Sequence, residues 1–184
     1  MTDVTDNFNR AGPALGSNWT TGVSSVVISA STVITCSTGG GDGTAWWNAN
    51  AFSGDHYSQI VYKTDADGGG PTVRYQSGAD TFYELYTNNA VLQVYEVTAF
   101  TYAQLGADYA NNPAVNDVFK LDATGSILTP SLNGTPLATR TDSSITGGAP
   151  GIHCFSNVIT FDDWLGGPII DVVVATNLMP QILM

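Results

Sequence analysis

Asp117 to Ile152 reads D-V-F-K-L-D-A-T-G-S-I-L-T-P-S-L-N-G-T-P-L-A-T-R-T-D-S-S-I-T-G-G-A-P-G-I, and its reading decides the fold class. Phe119, Leu121 and Ala123 alternate with Val118, Lys120 and Asp122, the period-two pattern of a half-buried strand. Thr124-Gly125 ends that strand, and Ile127 to Leu132 alternates again. Asn133-Gly134 is a hairpin signal, because both residues tolerate the positive φ that a type I′ turn demands. Leu137 to Thr141 then runs back. The stretch is a β-meander, and its residues speak of architecture more than of chemistry.

The same grammar extends in both directions. His56 to Thr64, Thr72 to Gln76, Thr81 to Thr87 and Val91 to Thr98 alternate in the same way. The turns between them are Asp65 to Pro71, Ser77 to Asp80 and Asn88-Asn89. Val23 to Cys36 is rich in β-branched residues, which favours strands. Ala45 to Ala49, Phe100 to Leu105, His153 to Ser156 and Val158 to Trp164 are further strands, and Gly106 to Asn116 is a polar loop with room for one helical turn. Short strands at this spacing predict an all-β, two-sheet antiparallel sandwich of jelly-roll type.

The chain has 184 residues, enough for one domain with a substantial core. Charged residues make up only 11% of it, against a usual ~25%. Thr, Ser, Asn and Gly must therefore coat the surface. Sixteen acidic residues face five basic ones, and Arg10, Lys63, Arg74, Lys120 and Arg140 are scattered, which argues against a nucleic-acid partner. No run of ~18 apolar residues predicts a membrane span. Met1 to Arg10 has neither the basic nor the apolar region of a secretory signal. Cys36 and Cys154 are read as two reduced, buried thiols, with a bridge between them as the alternative.

Particular residues then carry a resemblance. D-N-F-N-R-A-G-P-A-L-G-S-N-W (Asp6 to Trp19), V-F-K-L-D-A-T-G, L-N-G-T-P-L-A-T-R-T-D, G-A-P-G-I and F-D-D-W-L-G-G resemble the concanavalin A-like lectin/glucanase (laminin-G-like) domains found in phage and environmental bacterial proteins. The resemblance implies two curved antiparallel sheets with the first and last strands adjacent. It spans roughly residues 3–167, so residues 1–167 are assigned to the jelly roll. Residues 168–184 are assigned to an apolar strand or arm. Its Ile169, Ile170, Val172, Val174, Leu178, Met179, Ile182 and Leu183 would pack either on their own sandwich or on a neighbouring subunit.

The candidate chemistry is sparse. Retaining glucanases of this kind need paired carboxylates about 5–5.5 Å apart. The only glutamates, Glu84 and Glu96, have no acidic residue two positions on and read as polar-face strand residues, so no enzyme activity is expected. His56 and His153 sit in strand-like sequence without a nucleophile elbow. Asp65-Ala66-Asp67-Gly68 lacks the glutamate that an EF-hand needs, Gln76 standing in its place, and reads as a turn. A structural calcium at Asp6 with Asp162 or Asp163 is the one cofactor considered. For glycans, the available aromatic platforms are Trp46, Trp47, Tyr75, Tyr86 and Tyr95, whose alternation also suits core packing. Asn18-Trp19-Thr20 and Asn133-Gly134-Thr135 match glycosylation triplets but read as a strand start and a turn.

The expectation that follows is a non-enzymatic virion protein of a phage, a decoration, fibre or appendage module. It would sit on the virion surface among other virion proteins or copies of itself. The alternative is a carbohydrate-binding module, extracellular, that recognises cell-surface or environmental glycans.

Overall fold

The computed structural model describes residues 2–22, 24–30, 33–37, 41–88 and 90–170. The sequence-predicted arm beyond Ile170, with Val172, Val174, Leu178, Met179, Ile182 and Leu183, lies outside them. Among the described residues there are sixteen strands. In chain order they are β1 (Val4–Asp6), β2 (Trp19–Thr21), β3 (Ser24–Ser29), β4 (Val33–Cys36), β5 (Gly43–Trp47), β6 (His56–Tyr62), β7 (Gly69–Gln76) and β8 (Thr81–Asn88). Then follow β9 (Val91–Thr98), β10 (Thr101–Gln104), β11 (Val118–Thr124), β12 (Ile127–Leu132), β13 (Thr135–Pro136), β14 (Arg140–Thr141), β15 (Ala149–Cys154) and β16 (Phe161–Pro168).

They form two antiparallel sheets stacked as a sandwich. One runs β10-β9-β8-β7-β15-β5, with β2 beside β5; the other runs β4-β16-β6-β11-β12, with β13 and β14 on β12. Strand β3 stitches the two together, pairing with β5 through Ser24 and Ser25 and with β4 from Val26 to Ser29. First and last strands are adjacent, Val4 opposite Gly166. The opening meander is as its alternation predicts: β11 pairs with β12, and Asn133 and Gly134 both take positive φ between β12 and β13.

Residues alternating inward from both sheets make the core, because successive side chains of a strand point to opposite faces. Phe119, Leu121 and Ala123 of β11 are fully buried, as are Ile60 and Tyr62 of β6 and Tyr83 and Leu85 of β8. At one end the indoles of Trp19, Trp47 and Trp164 meet, Trp47 stacking on Trp164 at 5.3 Å and Trp19 edge-on at 4.6 Å. The Asp6 carboxylate closes this end. It pairs with Arg10 at 2.6 Å and accepts from the Trp19 indole and the Phe8 amide. Burial alone would raise the Asp6 pKa; the hydrogen bonds from Arg10, the Phe8 amide and the Trp19 indole, with the Arg10 charge, together outweigh it and hold the group low.

Gly69-Gly70-Pro71, read from composition as the end of a turn, opens β7 instead, and the last strand runs past Trp164 through Gly166-Gly167-Pro168. Packing explains the first. A Cβ on Gly70 would fall 1.9 Å from the Leu85 carbonyl oxygen of the neighbouring strand, so glycine serves close approach there. The loop from Gly106 to Asn116 holds an isolated bridge from Tyr109 to Leu92 rather than a helical turn.

The cysteine expectation is also corrected. Cys36 at the end of β4 and Cys154 at the end of β15 form a disulfide across a sequence separation of 118. Two sulfurs far apart in sequence carry no signal of their pairing; only the stacking of the sheets brings their Cα atoms to 5.7 Å. Closing so long a loop restricts the unfolded chain. Replacing both cysteines by alanine should lower stability by about 4 kcal/mol in urea unfolding, and an unchanged midpoint would refute that role.

Close to the indole cluster, where Trp164 donates to Ser58 of β6, His56 and Arg74 tie loops together. The Arg74 guanidinium, 2% exposed, donates to the carbonyls of Gly54, Ile145 and Gly125. The buried His56 ring donates from Nδ1 to Ser53 O and accepts the Arg74 amide at Nε2. That pattern requires the neutral ring, and burial, with Arg74 nearby, lowers its pKa to about 4. The unfolded histidine takes its proton near pH 6.5 and the folded one does not, so stability falls as pH drops from about 6.5 to 4. The loss is on the order of 3 kcal/mol. His56→Asn, which preserves one donor and one acceptor, should remove that part of the acid sensitivity in denaturation curves taken at pH 7 and pH 4.5.

Candidate functional site

The site grows out of the alternation of β8. Tyr83 and Leu85 face the core, so Phe82, Glu84 and Tyr86 share the sheet's outer face. Register places Tyr95 of β9 opposite Glu84, Gln93 opposite Tyr86, and Val97 opposite both Phe82 and Tyr102 of β10. On the other side, His153 of β15 lies opposite Gly70 and Thr44, and Trp46 of β5 lies opposite Gly151.

This face is concave. From β10 to β15 is four strand spacings, roughly 19 Å on a flat sheet at about 4.8 Å each. Yet the Tyr102 hydroxyl donates to Asp42 and lies 3.2 Å from His153 Nε2. Two side chains meet over that span only if the sheet curls inward. The turn that launches β10 contributes, with Ala99 and Phe100 both at positive φ. Neither is the glycine or asparagine that would announce such a turn.

On the floor of the curl is a buried ionic cluster. His153 donates from Nδ1 to Glu84 Oε1 at 2.7 Å, and its Nε2 lies 3.2 Å from Asp42 Oδ1. Glu84 and His153 are both fully buried. Each ring nitrogen faces a carboxylate, and the Tyr102 proton is already committed to Asp42, so both nitrogens act as donors. The ring is therefore an imidazolium. Burial alone would lower the His153 pKa; the charges and hydrogen bonds of Glu84 and Asp42 outweigh it and lift the pKa to about 9. The hydrogen bond from His153, with that from Tyr102, holds Asp42 low against its partial burial. Burial pushes the Glu84 carboxyl up, opposed by the His153 charge.

A chain of rings lines the concavity. Trp46 stacks on Tyr75 at 4.5 Å and Tyr75 on Phe82 at 5.3 Å. Phe82, Tyr86 and Tyr102 all approach the His153 ring. Tyr95 stands edge-on to Tyr86 at 5.7 Å and to Tyr102 at 5.8 Å. At this end a recess of about 250 Å³ is lined by Tyr86, Asn88, Gln93, Tyr95, Tyr102 and Phe155. Phe155 is 44% exposed. Gly68, at φ +106°, lets the wall close, since a Cβ there would lie 2.8 Å from that of Phe155 and 3.4 Å from the Tyr86 hydroxyl.

Of the sequence-predicted platforms, Tyr86 and Tyr95 meet at this recess. Trp46 is half-buried at the far end of the ring chain, and Tyr75 lies buried between Trp46 and Phe82. Trp47 points the other way, 6% exposed in the indole cluster of the core. Of the acidic residues considered for calcium, two accept hydrogen bonds within the chain. Asp6 is held by Arg10 and Trp19, and Asp162 Oδ1 accepts the Asp163 amide. Among the described residues no three His, Cys, Asp or Glu side chains gather as metal ligands. Glu84, read from alternation as a solvated strand residue, is buried, and sequence gave no sign of its meeting with His153 and Asp42. Tyr102 and Phe155 were also missed, the first because it belongs to a four-residue edge strand, the second because it follows a strand end. Of the arm, Ile169 donates its amide to Asp55 O, and Ile170 is 69% exposed.

Solved structures share this architecture. The carbohydrate-binding module CBM66 from Bacillus subtilis is similar with a TM-score of 0.65 at 15% identity, over 80% of this chain and 92% of its own. A prokaryotic β-1,3-1,4-glucanase (lichenase) from a mouse hindgut metagenome is similar at 0.60 and 10% identity, over 92% and 100%. The Ca2+-bound exoplasmic/lumenal domain of VIP36 is similar at 0.57 and 11% identity, over 91% and 90%. No protein-family model and no curated protein sequence matches the chain. The chain thus has the jelly-roll fold of the concanavalin A-like lectins and glucanases.

Because the folded His153 pKa lies above the unfolded value, the cluster's contribution is complete below about pH 6.5 and is lost as pH rises through about 9. Nitrogen-detected NMR should therefore show one imidazole protonated on both nitrogens at pH 7.5, absent from His153→Gln. A His153 ring titrating near 6.5 would contradict the ion cluster.

Proposed function

We propose that this chain is a carbohydrate-binding module whose ligand enters the concave face at the recess between Tyr86, Tyr95, Tyr102 and Phe155. The observation that carries the reading is the recess itself. Sugars are bound by aromatic faces that cover their C–H surfaces and by polar groups fixed at the rim. Asn88 and Gln93 line the same space as the rings. Gln93 is fixed in place, donating to Asp108 and accepting from the Tyr95 hydroxyl. The fold's likeness to a carbohydrate-binding module and to a lumenal lectin domain supports the same reading.

The module is non-enzymatic. Retaining hydrolysis needs a second carboxylate about 5–5.5 Å from the first. Glu84 has Phe82 and Tyr86 as its neighbours along the face; the other carboxylate on the floor, Asp42, lies across the His153 ring from it, and both are bound to that ring, which occupies the space between them. An oxidising, extracellular setting fits the Cys36–Cys154 bridge. The expectation of a virion appendage rested on the charge-poor coat and the apolar arm. No observation on the described residues favours assembly into a particle, and the glycan reading takes precedence.

A broad glycan array should show binding. Tyr95→Ala should weaken it at least tenfold, about 1.4 kcal/mol, whereas Lys120→Ala on the opposite sheet should not. Absence of binding across the array would refute the reading, and release of reducing ends from mixed-linkage β-glucan would refute its non-enzymatic part.

A further inference from the structure

The recess has a second property that a neutral-sugar site does not require. Its walls are rings set at right angles: Tyr86 to Tyr95 at 80° and Tyr95 to Tyr102 at 84°, with Phe155 beside them. A cation held against an aromatic face that lines such a recess is attracted by the ring quadrupole. The volume of about 250 Å³ suits one sugar ring or head group; drug-sized sites begin at about 300 Å³.

The charges around the rings are negative except for the His153 imidazolium, which lies against Tyr86 and Tyr102. Glu84 and Asp67 both act on the Tyr86 hydroxyl, and Asp108 and Glu84 on that of Tyr95. Glu84 and Asp42 act on that of Tyr102. Asp108 is pinned at the rim by the side-chain amides of Gln93 and Gln104, at 2.8 and 2.7 Å. Within the floor, the imidazolium of His153 offsets only one of its two carboxylates. Glu84, fully buried on the face between Tyr86 and Tyr95, has an Oε2 atom without a hydrogen-bond partner among the described residues. The side chains that line the recess are themselves uncharged, so the carboxylates act from behind them, Asp108 through its contact with Gln93. Arg140, which donates to Ala107 O beside Asp108, lies over the Tyr109 ring and makes no ion pair with Asp108.

We infer that the recess recognises an organic ammonium group carried on a sugar, that is, a glycan containing free amino-sugar residues. This deepens the carbohydrate-binding reading and rests on it. The rings would cover the sugar and its ammonium group, and the carboxylates at rim and floor would supply the complementary charge. An N-acetylated or unsubstituted sugar of the same shape keeps the ring contact and loses the charge term.

Calorimetric titration of the full chain at pH 6 with a glucosamine oligosaccharide, its fully N-acetylated counterpart, the equivalent glucose oligosaccharide and choline separates the cases. The expected result is at least tenfold tighter binding of the glucosamine oligosaccharide than of either neutral one, weakened at high salt. Asp67→Asn, at an exposed position without a contact to Gln93, should reduce that preference while leaving neutral-sugar binding unchanged; Asp108→Asn, which also alters the partner of Gln93, should reduce it further. Tyr95→Phe should retain the preference and Tyr95→Leu should lose it. Equal binding of charged and neutral oligosaccharides would overturn the ammonium inference and leave the carbohydrate reading standing. Binding of choline alone would overturn its assignment to a sugar. Binding of none of the four would overturn the inference, with the glycan array left to decide the broader reading.

Discussion

The inward curl of the β10-β9-β8-β7-β15-β5 sheet is the constraint on which the rest depends. It brings the Tyr102 hydroxyl from the sheet's edge to Asp42 and His153. Without the curl, the rings of β8, β9 and β10 would be a row of separate side chains on an open surface. With it they become walls. The curl also permits the burial of Glu84 and His153, because Glu84 and the partly exposed Asp42 then converge on one imidazolium from its two nitrogens. Removing charges from water costs several kcal/mol per ion unless each finds a partner. The cluster is therefore no source of surplus stability; its effect is to specify one geometry for the concave face.

The outer faces of the two sheets have different characters. On β11, Lys120 pairs with Asp122 at 2.6 Å and lies 4.3 Å over the Tyr57 ring, a half-exposed arrangement that salt screens and that contributes little. On the curled sheet, buried carboxylates sit beneath aromatic rings and are screened far less. The uneven charge of the chain, -11 overall, thus acquires a focus where low dielectric gives it reach.

How much of this was legible in the sequence follows from which interactions are local. Strand alternation in β11, β12, β8 and β9 was readable because burial on one face imposes a period of two within a few residues. Asn133-Gly134 was readable because the chemistry of a tight turn lies within the turn. Gly70 misled, since a glycine that accommodates a neighbouring strand has the same appearance as one that bends the chain. Trp46 and Trp47 are adjacent, and composition could not say which faces the core; register with Trp19 and Gly151 decides it. The Glu84, His153 and Asp42 cluster joins three distant segments. No spacing rule reaches across them, and a lone glutamate in a strand carries no mark of its burial.

The disulfide has a meaning beyond its effect on the unfolded chain. Cys154 immediately follows His153, and Gly43, which follows Asp42, lies against both sulfurs, a Cβ there falling 2.6 Å from the sulfur of Cys36 and 3.1 Å from that of Cys154. One covalent bond therefore backs the two backbone segments that carry His153 and Asp42, and through Asp42 the contact that Tyr102 makes from the sheet's edge. The seam between the sheets and the floor of the recess are in this way fastened at one point.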